Sequence, residues 1–378
     1  MKIGIVCYPT YGGSGVVATE LGLELSRKGH EIHFITYSQP VRLELIGANV
    51  HFHEVHVPNY PLFHYQPYEL ALSSKIVDMV KVHNIDVLHV HYAIPHAYAG
   101  YMAKKMLHEE GISLPIVTTL HGTDITLVGS HPFYKTAVTF SINKSDAVTA
   151  VSNNLKEDTQ RLFNTKKDIS VIPNFIDLDK YKPNLKECQR DLLAQPHERV
   201  ITHISNFRTV KRVPDVIRIF ASINNKIPSK LMMIGEGPER KKAEHLCQEL
   251  NINDKVVFFG NTDEVHKILC FSDLFLLPSE TESFGLSALE AMASGVPVIS
   301  SNSGGLPEVN RHGISGFLSP VGAINDMAKN GIDILKSEET LAQFKTDAKT
   351  TAEQFNIHTI VPQYELIYKT ALKNCISI

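Results

Sequence analysis

Short apolar runs alternate with stretches whose apolar residues recur every three or four positions, and the alternation continues along most of the chain. The first run, Lys2–Cys7, is apolar and β-branched, as a buried strand requires. A helical pattern follows through Val17, Leu21 and Leu25 to Gly29, which suits the left-handed C-cap of a helix. Glu31–Thr36, Val50–Val57, Ile85–Val90, Ile116–Leu120 and Ala147–Val151 predict further strands. In Val50–Val57, period-two alternation puts His51 and His53 on one face and His56 on the other. Residues 169–182 begin as a short strand, then lose periodicity after Pro173 and Asn174, which marks a linker. A second series starts at Val200, with strands at Val200–Ser205, Lys230–Ile234, Val256–Phe259, Leu274–Leu277 and Val298–Ser300. In the tail, Ile357–Leu372, the spacing of Ile360, Tyr364 and Tyr368 predicts a helix.

Strands alternating with helices predict an α/β protein built on doubly wound parallel sheets. The chain has 378 residues, too many for one ordinary core, so two Rossmann-like domains are expected. Their expected bounds are residues 1–170 and 171–355, with 356–378 as a final helix. Open parallel sheets bind ligands beyond the carboxyl ends of their strands. The loops that follow the strands are therefore where chemistry is expected.

Composition narrows the partners. Net charge is −3, with 43% apolar and 20% charged residues, so neither nucleic acid nor a membrane surface is the expected partner. The first residues enter a strand at once, without a signal peptide, and no apolar run approaches a membrane span. Cys7, Cys188, Cys247, Cys270 and Cys375 are scattered, with no C-x-x-C pair, and are expected as free thiols in a reducing cytoplasm. Small-molecule substrates are the expected partners, and the oligomeric state is left open.

Five loops carry candidate chemistry. Gly12-Gly13-Ser14-Gly15 lets backbone N–H groups approach a phosphate or a sugar at a helix start, with Gly13 toward the donor. It is neither G-x-G-x-x-G nor a P-loop, so a plain tight turn competes with this reading. Gly235-Glu-Gly-Pro238 is similar. His121-Gly122-Thr123-Asp124 puts an imidazole at a strand end, where it can contact a sugar or a developing charge. Ser205-Asn206-Phe-Arg208-Thr-Val-Lys211-Arg212 brings cations to another strand end, and Lys211 suits a diphosphate leaving group.

The fifth stretch runs from Pro278 to Pro297. Free N–H groups around Ser283, Phe284, Gly285 and Leu286 open a helix and would meet a diphosphate. Glu282 precedes that helix and would grip sugar hydroxyls, while Glu290 lies about a turn inside and would accept from ribose hydroxyls. A capping acid with an exposed helix acid is the bland alternative, but it leaves the glycines and flanking buried strands unexplained. No metal site is expected. There is no H-E-x-x-H, His51-Phe-His53 and His89-Val-His91 read as strand alternation, and Asp177-Leu-Asp179 falls in the linker.

Taken together, Glu282 and Glu290 with seven residues between them, Gly295-Val-Pro297, Ser303-Gly-Gly-Leu-Pro-Glu308, His121-Gly-Thr and Val171-Ile-Pro-Asn174 resemble the large retaining glycosyltransferase family of GT-B fold. The resemblance spans essentially the whole chain. It implies two Rossmann-like domains facing across a cleft, the donor held mainly by the second and the acceptor by the first. It also implies a last helix that crosses back to the N-terminal domain, and catalysis by His121, Lys211 and Glu282 without a metal or other cofactor. Many members carry Gly-Arg where this chain has Ser205-Asn206. Either Arg208 takes over the second cation's role or Asn206 faces a substrate.

Finer motifs include Cys7-Tyr-Pro-x-x-Gly-Gly-Ser-Gly15, His89-x-His-Tyr-Ala-x-Pro-His96 and Thr118-Thr-Leu-His-Gly-Thr-Asp-Ile-Thr126. They resemble the branch of this family that acts in bacillithiol biosynthesis. That implies UDP-N-acetylglucosamine as donor and L-malate as acceptor. A small dianion needs N–H and hydroxyl donors, which Ser14, Tyr92, Thr119 and Asn153 could supply. The alternatives are a lipid or polysaccharide acceptor, or a nucleotide-sugar binding module without catalysis. Glu20 and Glu24 in the helix Val16–Lys28 argue against stable docking on a membrane.

Overall fold

A computed structural model of the chain describes residues 1–10, 12–43, 49–59, 64–182, 188, 190–262 and 264–376. The chain divides into two units, Met1–Asn174 with Ile357–Ile378, and Phe175–Asn356.

The first unit is built from β1 (Lys2–Val6), α1 (Gly13–Arg27), β2 (Glu31–Thr36), β3 (Val50–Glu54), α2 (Tyr68–His83), β4 (Val87–His91), α3 (Tyr98–Glu109), β5 (Ile116–Leu120), α4 (Pro132–Lys144), β6 (Ala147–Ala150), α5 (Asn153–Leu162) and β7 (Ile169–Val171). All seven strands are parallel, in the order β3-β2-β1-β4-β5-β6-β7. The strands β1, β4 and β5 are almost wholly buried, which explains their unbroken apolar runs. The strand expected at Ile85 begins at Val87, because Asp86 turns its carboxylate onto the Lys2 N–H at 2.7 Å.

The second unit contains β8 (Arg199–Ile204), α6 (Val213–Asn224), β9 (Ser229–Ile234), α7 (Arg240–Glu249), β10 (Val256–Gly260), α8 (Val265–Leu269), β11 (Leu274–Leu277), α9 (Leu286–Ala293), β12 (Val298–Ser301), α10 (Leu306–Val309), β13 (Gly316–Ser319), α11 (Ile324–Leu335) and α12 (Glu338–Ala352). Its sheet is also parallel, in the order β10-β9-β8-β11-β12-β13. Ile201, Ile217, Phe220, Leu231, Met233 and Leu274 lie at the centre of its core. The strand β13 had no signal in the apolar pattern. It has four residues, and only Phe317 and Leu318 are apolar and bulky.

One expectation is corrected. Cys188 and Cys270 are not free thiols: they form a disulfide with the Cα atoms 6.1 Å apart. Eighty-two positions separate them, and the fold of the second unit brings them together, which spacing along the chain does not reveal. Cys7 and Cys247 are free and buried, and Cys375 is free and partly exposed.

The last helix, α13 (Ile357–Ile376), belongs to the first unit. Tyr364 and Tyr368 are fully buried there, and the Tyr368 hydroxyl hydrogen-bonds His89 Nδ1 at 2.7 Å. Along the same helix, Glu365 accepts from Lys28 at 3.1 Å and contacts His30 at 2.9 Å, and His358 contacts Glu24 at 2.9 Å. Glu20 and Glu24 are buried, so the inner face of α1 carries both acids. No helix among the described residues is long and apolar enough to cross a membrane.

Anchoring by Tyr368 is measurable. Tyr368→Ala should destabilise the first unit by about 3–5 kcal/mol through lost packing. Tyr368→Phe should cost about 1–3 kcal/mol, because His89 Nδ1 is left buried without its partner. Denaturant unfolding followed by tyrosine fluorescence checks both, and a Tyr368→Phe variant as stable as the wild type would remove the hydrogen bond from this account.

Candidate functional site

Strand order reverses between β1 and β4 in the first sheet and between β8 and β11 in the second. At such a switch point the following loops diverge to opposite faces and leave room for a ligand. Several of the sequence-predicted residues lie at these two points, and each unit is described separately.

In the first unit, the loop after β1 leads into α1. A Cβ on Gly15 would lie 2.4 Å from the Thr10 carbonyl oxygen, so only glycine permits this entry to the helix. Ser14 Oγ lies 2.7 Å from the Tyr92 hydroxyl, which follows β4. This hydrogen bond spans the switch point. Tyr92 adopts a left-handed φ of 91° and packs edge-on against Tyr8 and beside His121, with ring centroids 5.1 and 5.2 Å away.

His121 follows β5 and is almost fully buried. Its Nε2 lies 2.8 Å from His91 Nδ1. Burial drives its pKa down to about 3, so the ring is neutral at physiological pH. The next turn is tied down by Asp124. Its carboxylate accepts from the backbone N–H groups of Ala93, His121 and Gly122 at 2.8, 3.2 and 3.0 Å. Desolvation nevertheless raises the Asp124 pKa to about 6, against the lowering effect of those bonds.

Thr119 is placed differently from expectation. It is the fourth residue of β5 and fully buried, and its hydroxyl bonds His89 Nε2 and Thr149 Oγ1, both at 2.7 Å. It braces the sheet beneath the strand ends instead of offering a hydroxyl to solvent. Asn153 is exposed in the first turn of α5, whose N-cap is Ser152, accepting from Leu155 N–H at 3.1 Å.

In the second unit, Lys211 follows β8 and Glu282 follows β11. Lys211 Nζ donates to Glu282 Oε1 at 2.5 Å, and Ser279 Oγ donates to the same oxygen at 2.9 Å. The side chains are 20% and 12% exposed, so the pair is reachable from solvent yet partly desolvated. Glu280 N–H donates to the Val210 carbonyl at 2.7 Å and links the same two loops through the main chain.

Glycines let neighbouring loops close on these. A Cβ on Gly304 would lie 2.0 Å from the Glu282 carbonyl oxygen, and one on Gly305 would lie 2.4 Å from that of Ser283. Gly305 N–H donates to the Glu282 carbonyl at 2.8 Å. On the other side, Gly235 and Gly237 lie against the Ser205 and Asn206 carbonyls, which explains the paired glycines after β9. Gly285, at φ 100°, is the N-cap of α9, so the N–H groups opening that helix follow Ser283 and Phe284 directly. Phe284 is buried, and its ring packs edge-on against Phe355.

Glu290 is buried one turn into α9 and accepts from the Tyr181 hydroxyl at 2.8 Å. Tyr181 carried no signal in the sequence, because it lies in the stretch without periodicity. Asn206 and Arg208 are exposed on either side of buried Phe207, while Arg212 turns back to Asp215 at 2.6 Å. Arg208 is thus the cation of this loop that projects outward beside Lys211.

The comparisons with known proteins agree with this architecture. Residues 11–180 match the model described as Glycosyltransferase Family 4, and residues 186–351 match Glycosyl transferases group 1. The chain is 48% identical over 376 residues to the N-acetyl-alpha-D-glucosaminyl L-malate synthase of Bacillus anthracis, covering 99% of this chain and 98% of that one. It is 29% identical to an uncharacterized glycosyltransferase of Methanocaldococcus jannaschii, covering 99% of each. Among solved structures, an Anabaena protein in complex with UDP and glucose superposes with a TM-score of 0.81 at 21% identity, covering 98% of this chain and 99% of that one. Sucrose-phosphate synthase from Thermosynechococcus elongatus gives 0.80 at 20% identity, covering 99% of both.

The buried histidines of the first unit make its stability depend on pH. His89 and His121 are lowered to about 3, His96 to about 4 and His91 well below its ordinary value, in each case first by desolvation. Below pH 6.5 the unfolded chain binds protons that the folded unit refuses. Stability is therefore full above that pH and falls below it, by about 1.4 kcal/mol per pH unit for each histidine. Asp124 acts oppositely with one proton, since its raised value lets the folded state protonate first as the pH drops. Calorimetry should show a level melting temperature above pH 7 and a steep fall toward pH 5. A melting temperature level down to pH 5 would contradict it.

The paired parallel sheets, the switch-point residues and the full-length likeness identify the chain as a member of the GT-B glycosyltransferases.

Proposed function

We propose that this glycosyltransferase moves N-acetylglucosamine from UDP-N-acetylglucosamine to the hydroxyl of L-malate, with retention of the anomeric configuration, in the cytoplasm. The single observation that carries this reading is the 48% identity, from end to end, with a relative named for that product.

The chemistry of each unit supports it. In the second unit, Lys211 is the cation available to a departing diphosphate, and the opening N–H groups of α9 add donors to the same anion. Glu282 is held by Lys211 and Ser279. When a diphosphate draws Lys211 away, the carboxylate is freed to accept from sugar hydroxyls. Glu290, oriented by Tyr181, is placed to accept from ribose. In the first unit, Ser14 and Tyr92 form a hydroxyl pair suited to a small polyoxygenated acceptor, with Asn153 as a further donor. His121 stays neutral, so it hydrogen-bonds substrate without adding charge.

The malate hydroxyl oxygen forms the new bond to the anomeric carbon as that carbon's bond to the diphosphate breaks. The hydroxyl proton passes to a β-phosphate oxygen, and the products are an α-glycoside and UDP. In this scheme Lys211 supplies the charge that a divalent metal supplies elsewhere, so chelators leave the rate unchanged.

UDP release, followed with UDP-N-acetylglucosamine and a panel of small hydroxy acids, tests the assignment. Malate should support turnover. Release with a lipid or glycan acceptor, and none with malate, would overturn it. Lys211→Ala should lower kcat about 10²–10³-fold, in line with removal of a donor to a developing oxyanion. Glu282→Gln should lower kcat/KM while the melting temperature changes little. Wild-type rates in both variants would exclude these roles.

A further inference from the structure

Five metal-capable side chains meet at the outer edge of the first sheet, away from the switch point. The parallel register pairs His33 of β2 with His51 of β3, and His53 is two residues further along the same face. The α2 helix ends over them at His83. Ring centroids of His33, His53 and His83 lie 4.6–5.2 Å from one another. One ligand atom from each of these three residues lies within 4.8 Å of the other two. The fifth residue, Glu31, opens β2.

The hydrogen bonds assign roles within the group. His33 Nδ1 faces His53 Nε2 at 2.9 Å, while His33 Nε2 faces Glu31 Oε1 at 3.1 Å. His33 therefore has one nitrogen toward the other imidazoles and the other toward a carboxylate. That is the arrangement of a metal-bound histidine whose remote N–H is oriented by an acid. His51 Nε2 lies 3.6 Å from the same Glu31 oxygen and stacks on His33 at 4.8 Å. Lys75 on α2 is the cation that bears on His53 and opposes a bound cation, while Glu31 favours one.

We propose that His33, His53 and His83 form a binding site for a borderline divalent transition metal of the zinc, cobalt or nickel type, with Glu31 orienting His33. Imidazole nitrogens select this class over magnesium or calcium, which take oxygen ligands. Metal–nitrogen bonds of about 2.0–2.1 Å need ligand atoms nearer together than 4.8 Å, and rotation of the partly exposed His53 and His83 closes that distance. His33 is already fixed between its two neighbours. A metal here ties the edge strand β3 to β2 and to the end of α2. It is a structural or regulatory site, separate from the substrate residues, which follow the carboxyl ends of β1, β4, β5 and β6.

The test uses the full chain, untagged, stripped with a chelator and titrated with Zn²⁺ by calorimetry and with Co²⁺ by visible absorption. One equivalent should bind, raising the melting temperature by a few degrees at saturating metal. His53→Ala and His83→Ala alter partly exposed residues and should fold. Each should weaken Zn²⁺ binding at least tenfold and abolish the thermal shift, while transfer activity stays at the wild-type level. Glu31→Gln should weaken binding about 10–100-fold. His131→Ala, outside the cluster, should bind as wild type. The proposal fails if the wild type takes up no saturable equivalent. It also fails if His53→Ala and His83→Ala bind as tightly as the wild type.

Discussion

In each unit a side-chain hydrogen bond spans the point where strand order reverses. In the first it joins Ser14 to Tyr92, and in the second Lys211 to Glu282. The reversal sends successive crossovers to opposite faces of a sheet, so the loops after the first and fourth strands separate there. The tie in the first unit is neutral and made of hydroxyls, whereas that in the second is a partly desolvated ion pair. The two units thus carry chemically different ties on the same strand order.

The main chain beneath these bonds is held by two different devices. In the second unit glycines allow loops to touch backbone to backbone: Gly235 and Gly237 on Ser205 and Asn206, Gly304 and Gly305 on Glu282 and Ser283. In the first unit the Asp124 carboxylate gathers three backbone N–H groups from two loops. Both devices leave little freedom to the residues they hold, which is what a site that must orient charge requires.

Much of this was legible from the chain. Apolar runs marked most strands, because a parallel sheet covered on both faces buries every position. Lys211, Glu282, Ser14 and Tyr92 stood out because each follows such a run. Thr119 misled for the same reason: one residue before the strand end, it faces into the sheet and spends its hydroxyl on His89 and Thr149. Tyr181, which orients Glu290, lies where the pattern lapses. The link between Cys188 and Cys270 spans 82 positions, and β13 is too short to register.

The sequence by itself determined the order of most strands and helices and the division into two units, and it singled out the loops that follow strand ends. Those features follow from local periodicity and from residue types placed next to strand ends. Tertiary structure decided which loops meet. Ser14 finds Tyr92 across 78 positions and Lys211 finds Glu282 across 71 only because a reversed strand order makes distant strands adjacent. The histidines of β2, β3 and α2 also share one patch. Alternation puts His51 and His53 on one face, but only strand register and the crossing of a helix bring His33 and His83 to them.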